Sequence, residues 1–491
     1  MNELKNIKFG NADGRKEARR DNFESLFYDN DGYFEKLCDP DKFLVIGRKG
    51  TGKTLLLEYF KKYMRQEKNT FVGSENMSSF LSTKLKNFEG ADIEPEERTL
   101  FWQYFLLKKF TGLILDNEKA IQRLKSKSFK ELKKIDKSVQ TTLQTITENN
   151  KVNGAATVGL TAIDAKVGAE QSETQVRMPA KYYSNFDELL ERVNVFIRTT
   201  NHAYYLTIDD IDELNGAVKN KEDFYSLTIA FVNALDKVND GLWTKKQNGK
   251  VVATLRTDLL DELNKRSDNL SKIIFDSSVK INWFSTLGQY DNPLMKMILH
   301  KVRASIKSYD NLSDKVLFEN LFPSAPSGTN KFVEYLIKKS FGRPRDIVFF
   351  LSTYTSMFGE NTHFEYKKLA FCVPSYVAFF YQDLENEINI LSNRDEVLST
   401  LNLIQRQKAR IFDFKKINGY FKMNVDDFPK IDNLKRGLKS LFKLGVIGTV
   451  FKRERKSNVY EFSYREGTET ELDTNATFIV HDAIKERLSL V

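Results

Sequence analysis

The segment that most constrains the fold is an eight-residue run with three glycines, Gly47-Arg48-Lys49-Gly50-Thr51-Gly52-Lys53-Thr54. The apolar residues Phe43 to Ile46 precede it, and an amphipathic stretch from Leu55 to Arg65 follows it. A short, continuous apolar run is typical of a strand that is buried on both faces of a parallel sheet. A strand, a glycine-rich loop and a helix in immediate succession therefore predict an α/β domain built on a parallel sheet.

The same eight residues fit the pattern G-x-x-x-x-G-K-[ST] in full. Glycines let successive backbone N–H groups point at one anion, and the helix that follows adds the positive end of its dipole. Lys53 can reach the β- and γ-phosphate oxygens, and the Thr54 hydroxyl suits Mg²⁺, which prefers oxygen ligands. The alternative, a chance glycine-rich turn before a helix, does not explain the complete match. We expect ATP and Mg²⁺ to bind here, through all eight residues Gly47, Arg48, Lys49, Gly50, Thr51, Gly52, Lys53 and Thr54.

A second apolar run, Tyr204 to Ile208, ends in the acidic sequence Asp209-Asp210-Ile211-Asp212-Glu213. A buried parallel strand delivers its last residues to the edge of the sheet where open α/β sheets bind ligands. We expect Asp209 to hold the Mg²⁺ ion and Asp210 to polarise the attacking water. Asp210 is one methylene shorter than glutamate, so hydrolysis is expected to be slow. The alternative is an acidic loop without a catalytic role.

Two further segments place arginines near the expected phosphates. Val251 to Leu255 reads as a strand and ends at Arg256, whose planar guanidinium matches phosphate oxygens. Its alternative is a surface pair with Asp258. Gly342-Arg343-Pro344-Arg345-Asp346 begins a helix, and one of its two arginines could reach the nucleotide from a separate lid. The alternative there is a structural Arg–Asp cap.

The order of these segments resembles the AAA+ ATPases over about residues 43–355, and within them the STAND and origin-recognition (ORC) type clade. The resemblance implies catalytic roles for Lys53, Asp209, Asp210 and Arg256, with Arg256 as a first sensor of the γ-phosphate. Arg343 or Arg345 would act as the second sensor. The resemblance also implies ATP as ligand and Mg²⁺ on Thr54 and Asp209.

The 491 residues predict about three domains. The wide gap between Lys53 and Asp209 predicts an insertion over about 75–180, with basic helices and a β-hairpin at Asn153 to Glu170. The C-terminal segment resembles a winged helix: a helix over 434–444, strands over 446–451 and 459–464, and a final helix from His481. The predicted domains are an N-terminal helical arm (1–42), the ATPase core (43–285), a helical lid broken at Pro323, Pro326, Pro344 and Pro374 (286–395), and the winged-helix domain (396–491).

The net charge of +9 is concentrated in two segments. Residues 119–137 carry eight basic side chains against two acids, and residues 435–456 carry eight against one. The second set includes four residues at the expected wing tip, Lys452, Arg453, Arg455 and Lys456. Such clusters favour phosphate binding by counterion release. A protein-docking or solvated surface is the alternative for both.

Other classes of site are disfavoured by composition. The two cysteines and four histidines have no metal or redox spacing. The N-terminus lacks a signal-peptide core, and the longest apolar stretch, Leu369 to Tyr381, is too short to span a bilayer. We therefore expect a cytoplasmic protein that does not bind membranes.

The sequence as a whole predicts an ATP-driven switch with low turnover that engages nucleic acid or a separately encoded effector protein. Homo-oligomerisation on ATP binding and a role in bacterial phage defence follow from the resemblance. The alternatives are a DNA-binding winged-helix protein with ATP as a structural ligand, and a P-loop kinase acting on a small molecule.

Overall fold

The structure is a computed structural model that describes residues 2–77, 98–118, 126–136, 186–216, 218, 220–285, 289–323, 331–451, 459–466 and 472–490. Three predicted features fall wholly or partly outside these residues. They are the β-hairpin at Asn153 to Glu170, residues 119–125 and 137 of the basic segment 119–137, and the wing-tip residues Lys452, Arg453, Arg455 and Lys456.

The N-terminal arm consists of short helical pieces that pack on the rest of the chain. Its 3₁₀ turn, Leu4–Asn6, hydrogen-bonds through backbone N–H groups to the carbonyls of Gly359 and Asn361. Three short α-helices follow: α1 (Gly14–Ala18), α2 (Phe23–Leu26) and α3 (Tyr33–Cys38). The arm therefore touches both the lid, at residues 359–361, and the core that begins after it.

The core is a parallel sheet of five strands in the order β2-β3-β4-β1-β5. Their bounds are β1 (Leu44–Gly47), β2 (Thr70–Asn76), β3 (Ala203–Asp209), β4 (Gly249–Arg256) and β5 (Ser278–Lys280). Because all five strands are parallel, their carboxyl ends meet at one edge, and Gly47 lies beside Arg256 there. The predicted α/β fold with a parallel P-loop core is confirmed.

Alternate residues of β1 face two different hydrophobic cores, as a doubly buried strand requires. The helices of the core are α4 (Lys53–Gln66), α5 (Arg98–Asn117), α6 (127–136), α7 (Phe186–Thr199), α8 (Lys221–Leu242), α9 (Thr257–Asn264) and α10 (Leu270–Ser277). Val45 packs with α4 on one face, whereas Leu44 and Ile46 pack with α5, α7 and α8 on the other. A 3₁₀ turn, Ile211–Gly216, follows β3.

Helix α5 corrects the expected extent of the insertion. The helix lies inside residues 75–180, yet its apolar side chains are buried against the sheet and α8. Trp102 is fully buried, and its indole N–H donates to the carbonyl of Leu227 at 3.0 Å. Residues 98–117 therefore form part of the layer that covers the sheet.

The predicted lid is helical. Its helices are α11 (Pro293–Ser305), α12 (Asp314–Leu321), α13 (Lys331–Lys339), α14 (Pro344–Phe358) and α15 (Leu369–Ile388), with 3₁₀ turns at Gln289–Asp291, Lys307–Tyr309 and Tyr366–Lys368. Pro344 occupies the first position of α14, where a missing N–H costs nothing. The break predicted at Pro374 is wrong, because α15 continues through this residue.

The C-terminal region carries a four-stranded antiparallel sheet in the order β6-β9-β7-β8. Its elements are α16 (Arg394–Gln407), β6 (Ile411–Asp413), α17 (Phe414–Met423), the 3₁₀ turn Val425–Asp427, α18 (Leu434–Lys443), β7 (Ile447–Phe451), β8 (Val459–Glu461), α19 (Ser463–Glu466) and β9 (Thr477–Val480). The final helix predicted from His481 is wrong: residues 482–489 form turns, and the unpredicted strand β9 ends just before His481. The buried His481 ring bonds Tyr464 Oη and the N–H of Ala483, which fixes this turn.

Across the described part of the chain, no helix combines the length and the apolar character needed to cross a membrane.

Candidate functional site

The glycine-rich loop leaves β1 at Gly47 and enters α4 at Lys53. Gly50 and Gly52 adopt φ values of +81° and +101°, a region that disfavours residues with a side chain. A Cβ atom at Gly47 would lie 2.5 Å from Thr51 Oγ1, so this position also requires glycine. The N-cap residue of α4, Gly52, has no side chain to cap the helix, which leaves the first-turn N–H groups and the helix dipole suited to an anion.

The Lys53 ammonium folds back over its own loop. Its Nζ atom donates to the carbonyls of Gly47 and Arg48 at 3.0 and 3.1 Å. Burial, followed by the positive charge of Arg256, lowers the pKa of Lys53 to about 8. Neutral carbonyls are weaker partners for an ammonium than phosphate oxygens are. Lys53 is thus poised to exchange these carbonyls for an anionic ligand.

Two carboxylates lie at the end of β3. Asp209 is 7% exposed, and its Oδ1 atom accepts a 2.5 Å hydrogen bond from the Thr254 hydroxyl on the neighbouring strand β4. Asp210 follows with φ at +61°, a conformation that Asp and Asn tolerate better than most residues. Burial, and next the charge of Asp209, raises the pKa of Asp210 to about 6. A carboxylate poised near neutral pH suits a general base.

An arginine of the N-terminal arm bridges these two carboxylates. The Arg15 Nη2 atom donates to Asp209 Oδ2 at 3.0 Å and to Asp210 Oδ2. Helix α1 brings it there by packing on the start of α4, so closely that a Cβ at Gly14 would lie 3.2 Å from the backbone N of Leu55. A positive group therefore occupies the space between the two acids.

Arg256 lies at the end of β4 beside Gly47, but its guanidinium is already paired. It donates to Asp258 through Nε at 3.0 Å and through Nη2, and to Asp212 at 3.1 Å. Asp258 is therefore the partner that the alternative interpretation of Arg256 named. The pair is not on the surface, however, because Arg256 is only 4% exposed. Burial disfavours the charged form, yet the two acids raise the pKa of Arg256 overall.

The two lid arginines contact the loop in different ways. Arg343 is 1% exposed and makes a two-pronged pair with Asp346. Its Nη1 atom reaches Glu387 at 2.5 Å and the carbonyl of Lys49 at 3.2 Å. Arg345 is more exposed, and its backbone N–H donates to the Gly50 carbonyl at 3.3 Å. Arg345 is therefore the more accessible of the two, and Arg343 carries the predicted Arg–Asp cap.

The tip of the loop, at Lys49 and Gly50, lies against the lid. Lys49 Nζ forms an ion pair with Asp383 at 2.6 Å, and Arg345 reaches the same carboxylate at 3.2 Å. The nearest atom to a Cβ built on Gly50 is the Arg345 Cβ, at 3.1 Å. Both residues of the loop tip thus lie directly against α14 and α15.

Arg48 connects the loop to the C-terminal region. Its Nη2 atom donates to the carbonyl of Leu444 at 2.8 Å, and its guanidinium lies 5.3 Å from the ring centroids of both Phe341 and Tyr464. Glu387 supplies a nearby carboxylate at 3.8 Å. One loop side chain therefore touches the lid and the C-terminal region together.

A cavity of about 990 Å³ lies at this junction. Its walls include Arg48 and Thr51 from the loop, Trp283 after β5, Phe341 from the lid and Tyr464 from the C-terminal region. The Trp283 indole N–H donates to the Thr51 carbonyl at 2.9 Å, so the cavity wall is bonded to the loop. A movement of the lid or of the C-terminal region would therefore change the contacts of the loop.

The residues present fit ATP and Mg²⁺. The pair Asp209 and Asp210 already accommodates a cationic group, and the loop presents left-handed glycines with an ammonium beside them. Asp209 and Thr54 would hold the metal, while the loop N–H groups and Lys53 would hold the phosphates. When bound, Mg²⁺ neutralises phosphate charge and ATP supplies the phosphoryl group.

The structure brings Lys53, Asp209, Asp210 and Arg256 to one edge of the sheet. It also adds residues that sequence reasoning missed: Arg15, Asp212, Thr254, Asp383 and Glu387. Thr254 could have been found, because parallel pairing of the two predicted strands puts it beside the end of β3. Arg15 had no local signal, since it lies in a polar arm 194 residues before Asp209.

Comparison with known proteins gives one family match. Residues 292–384 match the model described as the FunZ-associated C-terminal helical domain. The matched segment lies within the residues that the sequence assigned to the lid, and it includes Arg343, Arg345 and Asp383. The lid thus resembles this helical domain.

Over 460 residues the chain is 20% identical to a curated 80.3 kDa protein assigned to transposon gamma-delta in Escherichia coli (strain K12). The alignment covers 90% of this chain and 61% of that protein, so the chain spans about three-fifths of the length of its relative.

Two solved structures overlap the chain loosely. The Aeropyrum pernix ORC1 protein in complex with DNA is 12% identical, with a TM-score of 0.38, and the match covers 97% of this chain and 96% of that one. The Cdc6p protein of Pyrobaculum aerophilum is 11% identical, with a TM-score of 0.27, over 86% and 83%. The α/β assignment of this chain follows from its own strand order and loop.

Proposed function

We propose that the protein binds ATP with Mg²⁺ and hydrolyses it slowly as a regulatory switch. The observation that supports this most directly is the convergence of Lys53, Asp209 and Asp210 at the carboxyl edge of a parallel sheet. The loop and α4 would bind the phosphates, and Asp209 would bind the metal. Asp210 would accept the proton of the attacking water.

The proposed switch would act through the contacts of the loop tip. Arg48 bonds the C-terminal region, Lys49 pairs with Asp383 of the lid, and Gly50 accepts a hydrogen bond from Arg345. A ligand that reorders the loop must break or rearrange these bonds. Binding at the loop would thereby change the position of the lid and the C-terminal region, which is the differential contact that a switch requires.

The proposed role of Asp210 predicts the behaviour of Asp210→Asn. We expect ATP affinity within about threefold of wild type and hydrolysis reduced at least about a hundredfold, because the neutral amide cannot accept the proton. Asparagine is the suitable replacement, since it tolerates the φ of +61°. Phosphate release and equilibrium ATP binding would be measured on the same preparation. Hydrolysis at the wild-type rate would remove Asp210 from the mechanism.

The biological setting that we propose is defence against phage, with an effector encoded separately and homo-oligomers forming on ATP binding. The relative assigned to a transposon places a similar chain in a mobile element, which supports a role in conflicts between such elements and their hosts. Phage plating on cells that carry the wild-type or the Lys53→Ala gene, with its native neighbours, tests this setting.

A second candidate function, binding of DNA by the C-terminal region, is favoured by helix α18. Its apolar face is buried at Leu438 and Leu441, whereas Lys435, Arg436 and Lys439 are exposed. The Arg436 guanidinium forms an ion pair with Glu396 at 2.6 Å, so its positive charge is already compensated within the protein. We propose that Lys435, with the basic residues 452–456, contacts phosphates, as in a winged helix.

This second candidate predicts DNA binding that is independent of the nucleotide site. Neutralising Lys452, Arg453, Arg455 and Lys456 together should lower DNA affinity at 0.1 M salt at least about tenfold and flatten its salt dependence. Lys53→Ala should leave DNA affinity unchanged. Fluorescence anisotropy over a salt series measures both, and an unchanged affinity in the fourfold variant would contradict the assignment.

A further inference from the structure

The contact that carries a further inference is the one between the N-terminal arm and the two catalytic carboxylates. Both oxygens of Asp209 are engaged: Oδ1 by the Thr254 hydroxyl at 2.5 Å and Oδ2 by Arg15 at 3.0 Å. Asp210 accepts from the same Arg15 nitrogen. Each of these oxygens keeps a lone pair that could bind a metal. A divalent ion at Asp209 Oδ2 would, however, lie beside the positive Arg15 guanidinium, and the two cations would repel each other.

Arg15 is the partner that can leave. Thr254 is 3% exposed and lies inside β4, where its backbone is held by the sheet. Arg15 belongs to a five-residue helix, and its side chain is 33% exposed. Short helices are marginal by themselves, so α1 depends on its packing against α4 and on its Asp13 cap. Withdrawal of Arg15 costs little folding energy compared with opening the sheet.

We propose that Arg15 is a built-in counter-ion that blocks the metal position, and that the arm must withdraw it before Mg²⁺ and ATP can bind together. The guanidinium neutralises the same two acids that the metal would neutralise, so the two cations compete for them. This inference rests on the proposed function and adds its regulation.

The arm also offers a means of control from outside the site. Its first residues are bonded to the lid, where the N–H groups of Leu4 and Lys5 donate to Asn361 and Gly359 at 2.7 and 2.9 Å. Between these bonds and α1, the N–H of Asn11 donates to the buried Glu17 of α1 at 2.7 Å. The arm thus connects the lid to the two carboxylates. A movement of the lid would therefore change the position of Arg15.

The test compares how much Mg²⁺ improves the binding of a non-hydrolysable ATP analogue. Affinity is measured by calorimetry in EDTA and in saturating Mg²⁺, for wild type, Arg15→Ala and Arg15→Gln. The quantity compared is the ratio of the affinity in Mg²⁺ to the affinity in EDTA, called the Mg²⁺-dependent gain. Because both Arg15 variants lack the competing guanidinium, their gain should be about tenfold larger than that of wild type, which corresponds to about 1.4 kcal/mol. Arg19→Ala is the matched control, because Arg19 is an exposed arginine at the end of the same helix. It should behave as wild type.

A second measurement uses the unaltered protein. Hydrogen exchange of residues 11–18 should be slow without ligand and faster with analogue and Mg²⁺, but not with analogue in EDTA. An equal Mg²⁺-dependent gain in Arg15→Ala, Arg15→Gln and Arg19→Ala overturns the counter-ion role, as does exchange at 11–18 that ignores Mg²⁺. A smaller gain in both Arg15 variants also overturns it, because Arg15 would then support the metal site.

The two levels of the proposal fail separately. If wild type binds the analogue and Lys53→Ala does not, the nucleotide site stands whatever Arg15 does. If wild type fails to bind the analogue at any Mg²⁺ concentration, the proposed function is overturned and this inference falls with it.

Discussion

Replacement of Lys53 by alanine should lower ATP hydrolysis at least about a hundredfold, the range seen when one hydrogen-bond donor is removed from a preorganised site. Among the described residues, Lys53 is the one lysine of the loop whose ammonium donates to the loop's own carbonyls. Its Nζ atom lies 3.0 Å from the Gly47 oxygen and 3.1 Å from the Arg48 oxygen. Phosphate oxygens would take the place of these carbonyls as its partners. We also expect ATP affinity to fall, since the phosphates lose a charge-assisted hydrogen bond. Phosphate release and calorimetric binding measure the two effects.

Lys68→Ala is the control for this variant, because Lys68 is an exposed lysine just after α4 and removes the same charge. It should hydrolyse ATP at the wild-type rate. Equal rates in wild type and Lys53→Ala would exclude the loop as the source of the activity. They would also exclude the proposed switch.

The second large effect is expected on stability. Arg343→Ala should lower the free energy of unfolding of the lid by about 3–5 kcal/mol, because it leaves buried carboxylates without their cation. Arg343 is 1% exposed, and Asp346 is 0% exposed. Asp346 loses a two-pronged pair, while Glu387 loses a 2.5 Å contact. Since a chain of 491 residues need not unfold in a single step, unfolding should be followed with a probe in the lid.

Arg345→Ala provides the matched comparison two residues away. The Arg345 side chain is 27% exposed and pairs only partly with Asp383, so we expect a loss below about 1 kcal/mol. Arg343→Lys should fall between the two, because lysine keeps the charge and loses the two-pronged geometry. If Arg343→Ala were as stable as Arg345→Ala, the buried network would not hold the lid together.

Local patterns were enough to predict three of the five strands of the parallel core. Short apolar runs located β1, β3 and β4 to within one or two residues at each end, because a strand buried on both faces must be apolar throughout. The glycine spacing then located the loop between β1 and α4. The positions of Asp209 and Asp210 could then be predicted as well, because the carboxyl ends of parallel strands all lie at the same edge of the sheet.

The remaining features depend on contacts that sequence spacing does not encode. The insertion over about 75–180 was inferred from the wide gap between Lys53 and Asp209 alone, and that interval contains α5, which is buried against the sheet. Pro374 was taken as a break, yet α15 packs well enough around it to continue. Arg15 and Asp209 meet only because α1 docks on α4. Nothing in a polar arm distinguishes Arg15 from its neighbours Lys16 and Arg19.

The Arg48 side chain has a consequence for how this protein can be divided. Its hydrogen bond to Leu444 and its stacking on Phe341 and Tyr464 make the loop part of an interface between three regions. Cutting the chain before α16 would leave the Arg48 guanidinium without its C-terminal partners, although every residue of the loop would remain. A fragment ending there should therefore retain the sheet but lose the native shape of the loop. The smallest unit with a native glycine-rich loop thus extends at least to Tyr464.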